Sequence, residues 1–440
     1  MTEVKRIFDL LPYMVEKYPD LKNAIVTKSN DEWIECSIQK YKEMADLISY
    51  GLLSLGVRKG DKIASISSSR TEWNWLDMGI MQIGAVHVPI YPTISEDDHR
   101  YILAHSETKY VFTSGVDMLR RIEHLIPEVP NVAELFTFDE REGVRQLEHV
   151  IELGRKAKEN FNLEEYSAAV DATDLATMIY TSGTTGTPKG VMLSHRNLVH
   201  NFTSVSWIME SKLPPYSKIF SYLPLCHVYE RMINYSYQYL GYSINYAESI
   251  AKISDNLKEI KPDMMCSVPR LMEKTYDKII MSGRKLTGIK KQLFFWAVNL
   301  GHKYELDRAN GWWYHLKLSI ADKLIFSKWR AALGGQLQII VSGGAAIQPR
   351  LARIFTAAKI DIMEGYGLTE SSPVIAVNNF EPNGREFGTV GPPTRGVEVK
   401  IAKDGEVLTK SPCVMMGYYK APELTKEVID DDGWLHTGDM

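Results

Sequence analysis

Hydrophobic positions in the first part of the chain switch between helical and strand-like spacing. One helix is predicted by apolar residues at three- and four-residue intervals, namely Tyr41, Met44, Ala45, Ile48 and Leu52. Gly56 stands where such a helix ends. Apolar runs at 62–66, 84–90 and 110–112 predict strands with helical stretches between them. Strands that alternate with helices favour parallel βαβ units, so we predict a first α/β subdomain over 1–175.

The later chain predicts two further units. A short apolar strand at 176–180 is expected to open a second α/β subdomain over 176–372, with later strands at 218–223, 264–268 and 338–341. The stretch 270–333 is mostly helical in pattern and rich in aromatic residues. From 373 to 440 glycine and proline are frequent and the strands are short, which indicates a small β-barrel-like subdomain. The predicted fold class is α/β, with two subdomains built on mostly parallel sheets.

Composition narrows the function classes. The chain has 440 residues, and its 51 basic and 55 acidic side chains give a formal net charge of −4, so no strong basic field exists to hold nucleic acid. The four cysteines form no CxxC pair, which argues against a disulfide framework or a zinc site. Neither a signal peptide nor a transmembrane span is predicted. We expect a cytoplasmic protein, with peripheral contact at the inner face of a membrane left open.

A loop rich in glycine and hydroxyl residues follows the strand at 176–180. Its candidate nucleotide-binding residues are Thr181, Ser182, Gly183, Thr184, Thr185, Gly186, Thr187 and Lys189. Glycines permit close backbone approach, hydroxyls and backbone N–H groups donate to phosphate oxygens, and lysine neutralises phosphate charge. A P-loop of the GxxxxGK[ST] type is excluded, because Lys189 follows Pro188 and Gly190 replaces the serine or threonine. Composition alone leaves phosphate binding and a flexible surface loop equally open.

Three later segments add candidate chemistry. The turn at 342–346 follows a predicted strand, at an edge where open α/β sheets bind ligands. Within 361–370, Tyr366 offers a flat face for a base, Thr369 a hydroxyl and Glu370 an oxygen ligand for Mg²⁺. Asp439 offers a carboxylate to the two hydroxyls of a ribose. Each residue also has an ordinary structural interpretation, as a turn, a core aromatic or a solvated charge.

The segment 180–190 resembles the phosphate loop of the AMP-forming acyl and aryl ligases, the adenylate-forming superfamily. The resemblance implies that the loop holds ATP, that Thr184 and Glu370 bind Mg²⁺, and that Lys189 and His227 join them as catalytic residues. It also implies a large N-terminal domain of the adenylate-forming fold. The remaining nucleotide-binding residues implied by the matching motifs are Gly344, Ala345, Ala346, Glu364, Gly365, Tyr366, Gly367, Leu368, Thr369 and Asp439. In that family the histidine that matches His227 lies near the activated carboxylate, and we expect it to position rather than to act as a base.

Two segments resemble long-chain fatty acid–CoA ligases in particular. They are the Glu230-Arg231 pair after the histidine and the stretch 266–274, and the long insertion 275–333 strengthens the likeness. The implied substrates are a long-chain fatty acid, ATP and coenzyme A. A ligase for an aryl, medium-chain or amino acid, and a non-catalytic nucleotide- or acyl-binding protein, remain as alternatives. For the aromatic residues of 294–314 we favour ordinary helix packing over a tunnel or a membrane-facing surface.

The end of the sequence carries one more expectation. In the family, a small C-terminal catalytic domain follows the Thr-Gly-Asp motif, which here ends at Asp439, one residue before Met440. That domain supplies a lysine for adenylation. We therefore expect this chain to be an N-terminal portion that binds ATP and fatty acid but adenylates poorly.

Overall fold

Strands and helices alternate along most of the structure, a computed structural model that describes residues 2–29, 31–182 and 186–440. The strands are β1 (Ile25–Ser29), β2 (Glu32–Cys36), β3 (Lys62–Ile66), β4 (Val86–Ile90), β5 (Thr108–Thr113), β6 (Glu134–Thr137), β7 (Arg145–Gln146), β8 (Leu175–Ser182), β9 (Pro188–Ser194), β10 (Lys218–Ser221), β11 (Ser243–Tyr246), β12 (Met264–Ser267), β13 (Ile339–Ser342), β14 (Asp361–Gly367), β15 (Val374–Val377), β16 (Glu398–Ile401), β17 (Val407–Lys410), β18 (Gly417–Tyr418) and β19 (Leu435–His436).

The helices connect these strands and cover both faces of the larger sheets. They are α1 (Leu10–Lys17), α2 (Ile38–Ser54), α3 (Thr71–Gln82), α4 (Glu96–His105), α5 (Val116–Glu123), α6 (Leu147–Ala157), α7 (Leu163–Ala168), α8 (His195–Glu210), α9 (Val228–Tyr239), α10 (Ile253–Ile260), α11 (Pro269–Arg284), α12 (Gly288–Gly301), α13 (Gly311–Ala321), α14 (Ser327–Ala332), α15 (Pro349–Ala357) and α16 (Pro422–Val428). A π-helical turn at Asp322–Phe326 joins α13 to α14.

The first sheet has eight strands in the order β18-β9-β8-β4-β3-β5-β6-β7. Its central pairs are parallel, while β8 and β9 form an antiparallel hairpin in which Thr181 pairs with Lys189. All five residues of β4 are buried, as expected for a strand covered on both faces. The described ends of the phosphate-loop segment therefore belong to the two strands of this hairpin.

The second sheet also has eight strands, in the order β15-β14-β13-β12-β10-β11-β1-β2. Its interior is parallel, and its two edge strands are antiparallel. Strand membership differs from the sequence prediction, which placed the strand at 176–180 in the second unit. The structure pairs β8 with β4 of the first sheet, and it gives β1 and β2 to the second. The partner of a parallel strand is distant in sequence, so local hydrophobic pattern does not encode it.

The C-terminal part contributes a small antiparallel sheet of β16, β17 and β19. Strand β18, which lies between β17 and β19 in the chain, pairs instead with β9 and so connects the small part to the phosphate-loop hairpin. Two mostly parallel sheets and a small β part confirm the predicted α/β class.

The helical insertion confirms the expected helix packing for some of its aromatic residues and corrects it for others. Phe294 is buried beside Trp329 in the core below the second sheet. Trp312 and Trp313, in contrast, are 76% and 55% exposed. Periodicity marks an apolar face but does not show what covers it. In the part of the chain that the structure describes, no helix is both long and apolar enough to cross a membrane.

Candidate functional site

A cavity of about 400 Å³ lies at the carboxyl ends of β13 and β14, between the second sheet and helices α8 and α9. Five predicted nucleotide-binding residues from the 361–370 motif, together with Thr181 and Gly344, contribute to its wall. The five are Gly365, Tyr366, Gly367, Leu368 and Thr369, and the predicted catalytic residues His227 and Glu370 line the same cavity. The strand ends of an open α/β sheet are the usual place for a ligand. Segments that are far apart in sequence thus meet at one concave site.

Tyr366 lines this cavity and contacts Asp439, an exposed residue that is not part of the lining. The Tyr366 hydroxyl donates a hydrogen bond of 2.7 Å to Oδ2 of Asp439. Burial raises the pKa of Tyr366 to about 12, so the hydroxyl keeps its proton at neutral pH and remains a donor. The contact brings together an aromatic ring and a carboxylate, which are the two groups that the sequence analysis assigned to a nucleoside's base and ribose.

Glu370 and Lys189 both lie close to a second tyrosine, Tyr418. The Tyr418 hydroxyl donates to Oε1 of Glu370 at 2.8 Å, and the Nζ atom of Lys189 lies 5.3 Å from the centre of the Tyr418 ring. Tyr418 is carried by β18, which pairs with the strand that holds Lys189. The sequence analysis missed Tyr418, because it belongs to no recognised motif and its role depends on the pairing of β18 with β9.

The phosphate-loop hairpin borders a second recess of about 350 Å³. This recess shares Thr181, His227 and Thr369 with the main cavity, whereas Gly186 lines the recess but not the main cavity. Thr187 is exposed and lines neither space. The predicted residues Gly183, Thr184 and Thr185 lie outside the described residues, as does the side chain of Ser182. Their roles remain predictions.

His227 forms the N-cap of α9, and its Nδ1 atom accepts the Tyr229 backbone N–H at 3.1 Å. The protein around the ring removes part of its hydration, which disfavours the charged form and lowers the pKa of His227 below its usual range. Its surface nevertheless opens into the cavity. With Nδ1 as an acceptor, the neutral ring carries its proton on Nε2 and is a hydrogen-bond donor. This geometry suits a positioning group better than a base.

The turn that follows β13 is fixed by contacts with Tyr229 and Glu364. A Cβ atom on Gly343 would lie 3.1 Å from the Tyr229 ring, so glycine permits this close approach. Oε1 of Glu364 accepts the backbone N–H of Ile347 at 3.0 Å. The carboxyl group of Glu364 therefore anchors the turn and is absent from the cavity lining, while Ala345 and Ala346 are exposed just beyond it.

The inner end of the cavity is apolar, and sequence reasoning assigned none of its residues. Helix α8 contributes Val205, Ile208 and Met209, whose three- and four-residue spacing is the one local signal. Helix α9 contributes Met232 and Ile233. Phe380 also lines the cavity, and its ring lies 4.3 Å from the Nζ atom of Lys212. The site thus joins a polar end to an apolar recess.

Clusters of metal-binding side chains do not indicate a second candidate site among the described residues. Within the residues that the structure describes, no group of three or more histidine, cysteine, aspartate or glutamate side chains is arranged to hold an ion. The four cysteines are buried and unpaired. A metal at this site would depend on ligand oxygens from elsewhere, as Mg²⁺ bound with a nucleotide does.

Comparisons with known proteins agree with this geometry. Residues 13–419 match the family model described as AMP-binding enzyme. The chain is 34% identical over 411 residues to the long-chain-fatty-acid–CoA ligase FadD15 of Mycobacterium bovis, covering 93% of this chain and 67% of that protein. It is 31% identical over 471 residues to the peroxisomal long chain acyl-CoA synthetase 7 of Arabidopsis thaliana, covering 100% of this chain and 65% of that protein. The chain therefore spans about two thirds of the length of these relatives.

Solved structures show the same fold. The N-terminal domain of FACL13 from Mycobacterium tuberculosis superposes with a TM-score of 0.73 at 22% identity, covering 98% of this chain and 95% of that one. A long-chain-fatty-acid-CoA ligase (FadD1) from Archaeoglobus fulgidus gives a TM-score of 0.76 at 18% identity, covering 100% and 82% of the two chains. With a family match that spans most of its length, the chain belongs to the AMP-binding enzyme family, in which the sequence had placed it.

Proposed function

We propose that this chain carries the ATP- and acid-binding site of an AMP-forming, ATP-dependent acid–CoA ligase whose acid is a long-chain fatty acid. The single observation that supports this best is the cavity itself, in which residues of the predicted nucleotide-binding motif line one end and apolar side chains line the other. In the first half-reaction the fatty carboxylate attacks the α-phosphorus of ATP, pyrophosphate leaves, and acyl-AMP forms. In the second, the coenzyme A thiol attacks the acyl carbonyl and AMP leaves.

The apolar recess supports the choice of acid. It is walled by α8 and α9 on one side and by apolar residues of the second sheet, among them Met363 and Val377, on the other. Burial of each methylene group contributes about 0.8 kcal/mol, so a recess of this kind favours long alkyl chains over short acids. The names of the matched relatives point to the same substrate class.

The side chains divide the work of the first step. A carboxylic acid is already ionised at neutral pH, so it needs no base. His227 donates from Nε2 and orients one carboxylate oxygen toward the phosphorus. Lys189 neutralises charge as it builds up on the leaving pyrophosphate. Tyr366 and Asp439 hold the base and the ribose.

Glu370 suits the magnesium role that the sequence assigns to it. Its carboxylate lines the cavity, and only Oε1 is engaged by Tyr418. Mg²⁺ is commonly held by one or two carboxylates together with substrate phosphates and water, which fits a single carboxylate here. Bound there, the metal would supply charge neutralisation at the phosphates. Thr184, the second predicted ligand, lies outside the described residues.

Pyrophosphate release by the protein expressed from its native gene tests this proposal. The assay would compare acetate, octanoate, palmitate and benzoate at equal concentration, with ATP and Mg²⁺ in excess. We expect the highest kcat/KM with palmitate. A preference for benzoate or acetate would overturn the assignment of the acid, and ATP binding without any acid-dependent pyrophosphate release would identify a non-catalytic binder.

A further inference from the structure

Helix α13 is an apolar helix with little protein packed over it. Its sequence is GWWYHLKLSIA, and Ala321 is its one buried residue. Besides the exposed pair Trp312 and Trp313, its outer surface carries Leu316 and Ile320, and Leu324 follows in the π-helical turn. These three are 44–48% exposed. We call these five side chains the tryptophan face.

The five side chains share one side of the helix. At about 100° per residue, positions 312, 313, 316, 320 and 324 fall within an arc of about 120°. The chain concentrates exposed apolar side chains here, because eight of the fifteen large ones among the described residues lie between 281 and 324. Scattered exposed apolar residues are normal, whereas a contiguous stripe marks an interaction surface.

Within 311–332, the segment that carries the tryptophan face, the exposed charged side chains are all basic. From 311 to 332 the exposed charged residues are Lys317, Lys323 and Lys328. The one acidic residue of this stretch, Asp322, is buried, and it accepts hydrogen bonds from Arg330 at 2.5 Å and Lys359 at 2.6 Å. The neighbouring helix α12 adds two exposed lysines and no acidic residue. Exposed lysines therefore flank the apolar stripe on its own segment and on α12, while the exposed Asp307 before α13 stands next to the exposed Arg308.

This combination fits a lipid surface better than a protein. Tryptophan is enriched at the boundary between headgroups and acyl chains, and lysine at its side favours anionic headgroups. Protein interfaces, in contrast, are depleted in lysine. At about 1.5 Å per residue the 11 residues of α13 span about 16 Å, half of a hydrocarbon core of about 30 Å, so the helix would lie along the surface.

We propose that the tryptophan face docks this protein on bilayers that contain anionic lipids, with α13 parallel to the membrane plane. The surface is separate from the cavity, since none of its five residues lines it. The inference therefore stands or falls independently of the ligase function. It places the protein where free fatty acids accumulate, because these partition into bilayers.

Vesicle sedimentation tests the proposal with the protein expressed from its native gene. The probes are vesicles of phosphatidylcholine alone and of phosphatidylcholine with phosphatidylglycerol. We expect binding to the mixed vesicles, accompanied by a blue shift of tryptophan emission. The double variant Trp312→Ser/Trp313→Ser should lose at least about tenfold in partition coefficient. Replacing Lys317, Lys323 and Lys328 by glutamine should lower the partition coefficient about fivefold per lysine, and it should do so only with the mixed vesicles.

The control is Ile401→Ser, which removes a side chain that is 65% exposed on β16, outside the tryptophan face. It should bind vesicles as the wild type does. Unchanged circular dichroism and thermal midpoints would show that the variants fold. Vesicle binding by the tryptophan variant at wild-type strength would overturn the proposal. So would a dimer in sedimentation velocity that dissociates in this variant while the wild type ignores vesicles, which would identify a protein interface.

Discussion

Glu230 is a buried carboxyl group that has no cationic partner among the described residues, and from it we predict how stability depends on pH. It is 1% exposed on α9. Its Oε1 atom accepts from Ser221 Oγ at 2.5 Å and Asn234 Nδ2 at 3.2 Å, whereas Oε2 has no hydrogen-bond partner among the described residues. Burial raises the pKa of Glu230 to about 7, because the charged form loses its hydration. The change Glu230→Gln keeps the shape of the side chain and removes its titration.

The sign and size of the effect follow from linkage. Between the ordinary glutamate pKa of about 4.3 and the native pKa of about 7, the folded state binds more protons than the unfolded state. The free energy of unfolding therefore falls as the pH rises through this window and is level above it. The two pKa values lie about 2.7 apart, and at about 1.4 kcal/mol for each pH unit the loss across the window is about 3.7 kcal/mol.

Urea unfolding of both proteins from pH 5 to pH 8 measures this effect. At each pH the free energy of unfolding of Glu230→Gln is subtracted from that of the wild type, and the change of this difference with pH is the quantity of interest. A constant cost of burying the amide cancels from that change. We expect the wild type to lose about 2–3 kcal/mol relative to the variant over this range. The exposed Glu159→Gln is the matched control and should follow the wild type. A difference that stays constant with pH would refute the reasoning.

Three further predictions concern the core and the site. Asp77→Asn leaves the buried guanidinium of Arg231 without its counter-charge and should cost about 3–5 kcal/mol in urea unfolding at neutral pH. Tyr418→Phe removes the hydrogen bond to Glu370, so the Mg²⁺ concentration that gives half-maximal pyrophosphate release should rise about fivefold to tenfold. Phe380→Ala opens the apolar end of the cavity, and the ratio of kcat/KM between acids of eighteen and twelve carbons should rise about tenfold.

Matched controls distinguish these effects from general damage. The exposed Asp20→Asn should leave unfolding unchanged. Tyr419→Phe removes a neighbouring hydroxyl that binds Glu107 instead, and Phe387→Ala removes an aromatic ring outside the cavity. If Tyr419→Phe shifts the Mg²⁺ dependence as much as Tyr418→Phe does, the proposed support of Glu370 is wrong. If Phe387→Ala changes the chain-length ratio equally, Phe380 does not limit the acid.

Local pattern predicted much of the fold. The helical spacing from Tyr41 to Leu52 lies within α2, and the apolar runs at 62–66 and 110–112 lie in β3 and β5. The phosphate-loop motif and the 361–370 motif were recognisable because each is a continuous segment whose residue types suit one ligand. The structure brings their described parts together with His227.

What the sequence did not reveal depends on contacts between distant segments. The pairing of β8 with β4 joins residues about 90 positions apart, and the support of Glu370 by Tyr418 joins residues 48 apart. The apolar lining of the cavity comes from α8, α9 and the second sheet, each of which reads as ordinary core. The exposure of Trp312 was equally hidden, since an apolar helix looks the same in sequence whether or not another element covers it.

The division of the site between the two sheets has a mechanical consequence. The hairpin of β8 and β9 belongs to the first sheet, while Tyr366 lies in β14 of the second sheet and Glu370 comes shortly after that strand. A nucleotide bound by both would link two layers that already contact each other, among other places through the hydrogen bond from Tyr418 on β18 to Glu370. Saturation at about a hundred times the dissociation constant would add about 2.7 kcal/mol to the work of separating them. Nucleotide occupancy and the rigidity of the whole body are then one coupled property.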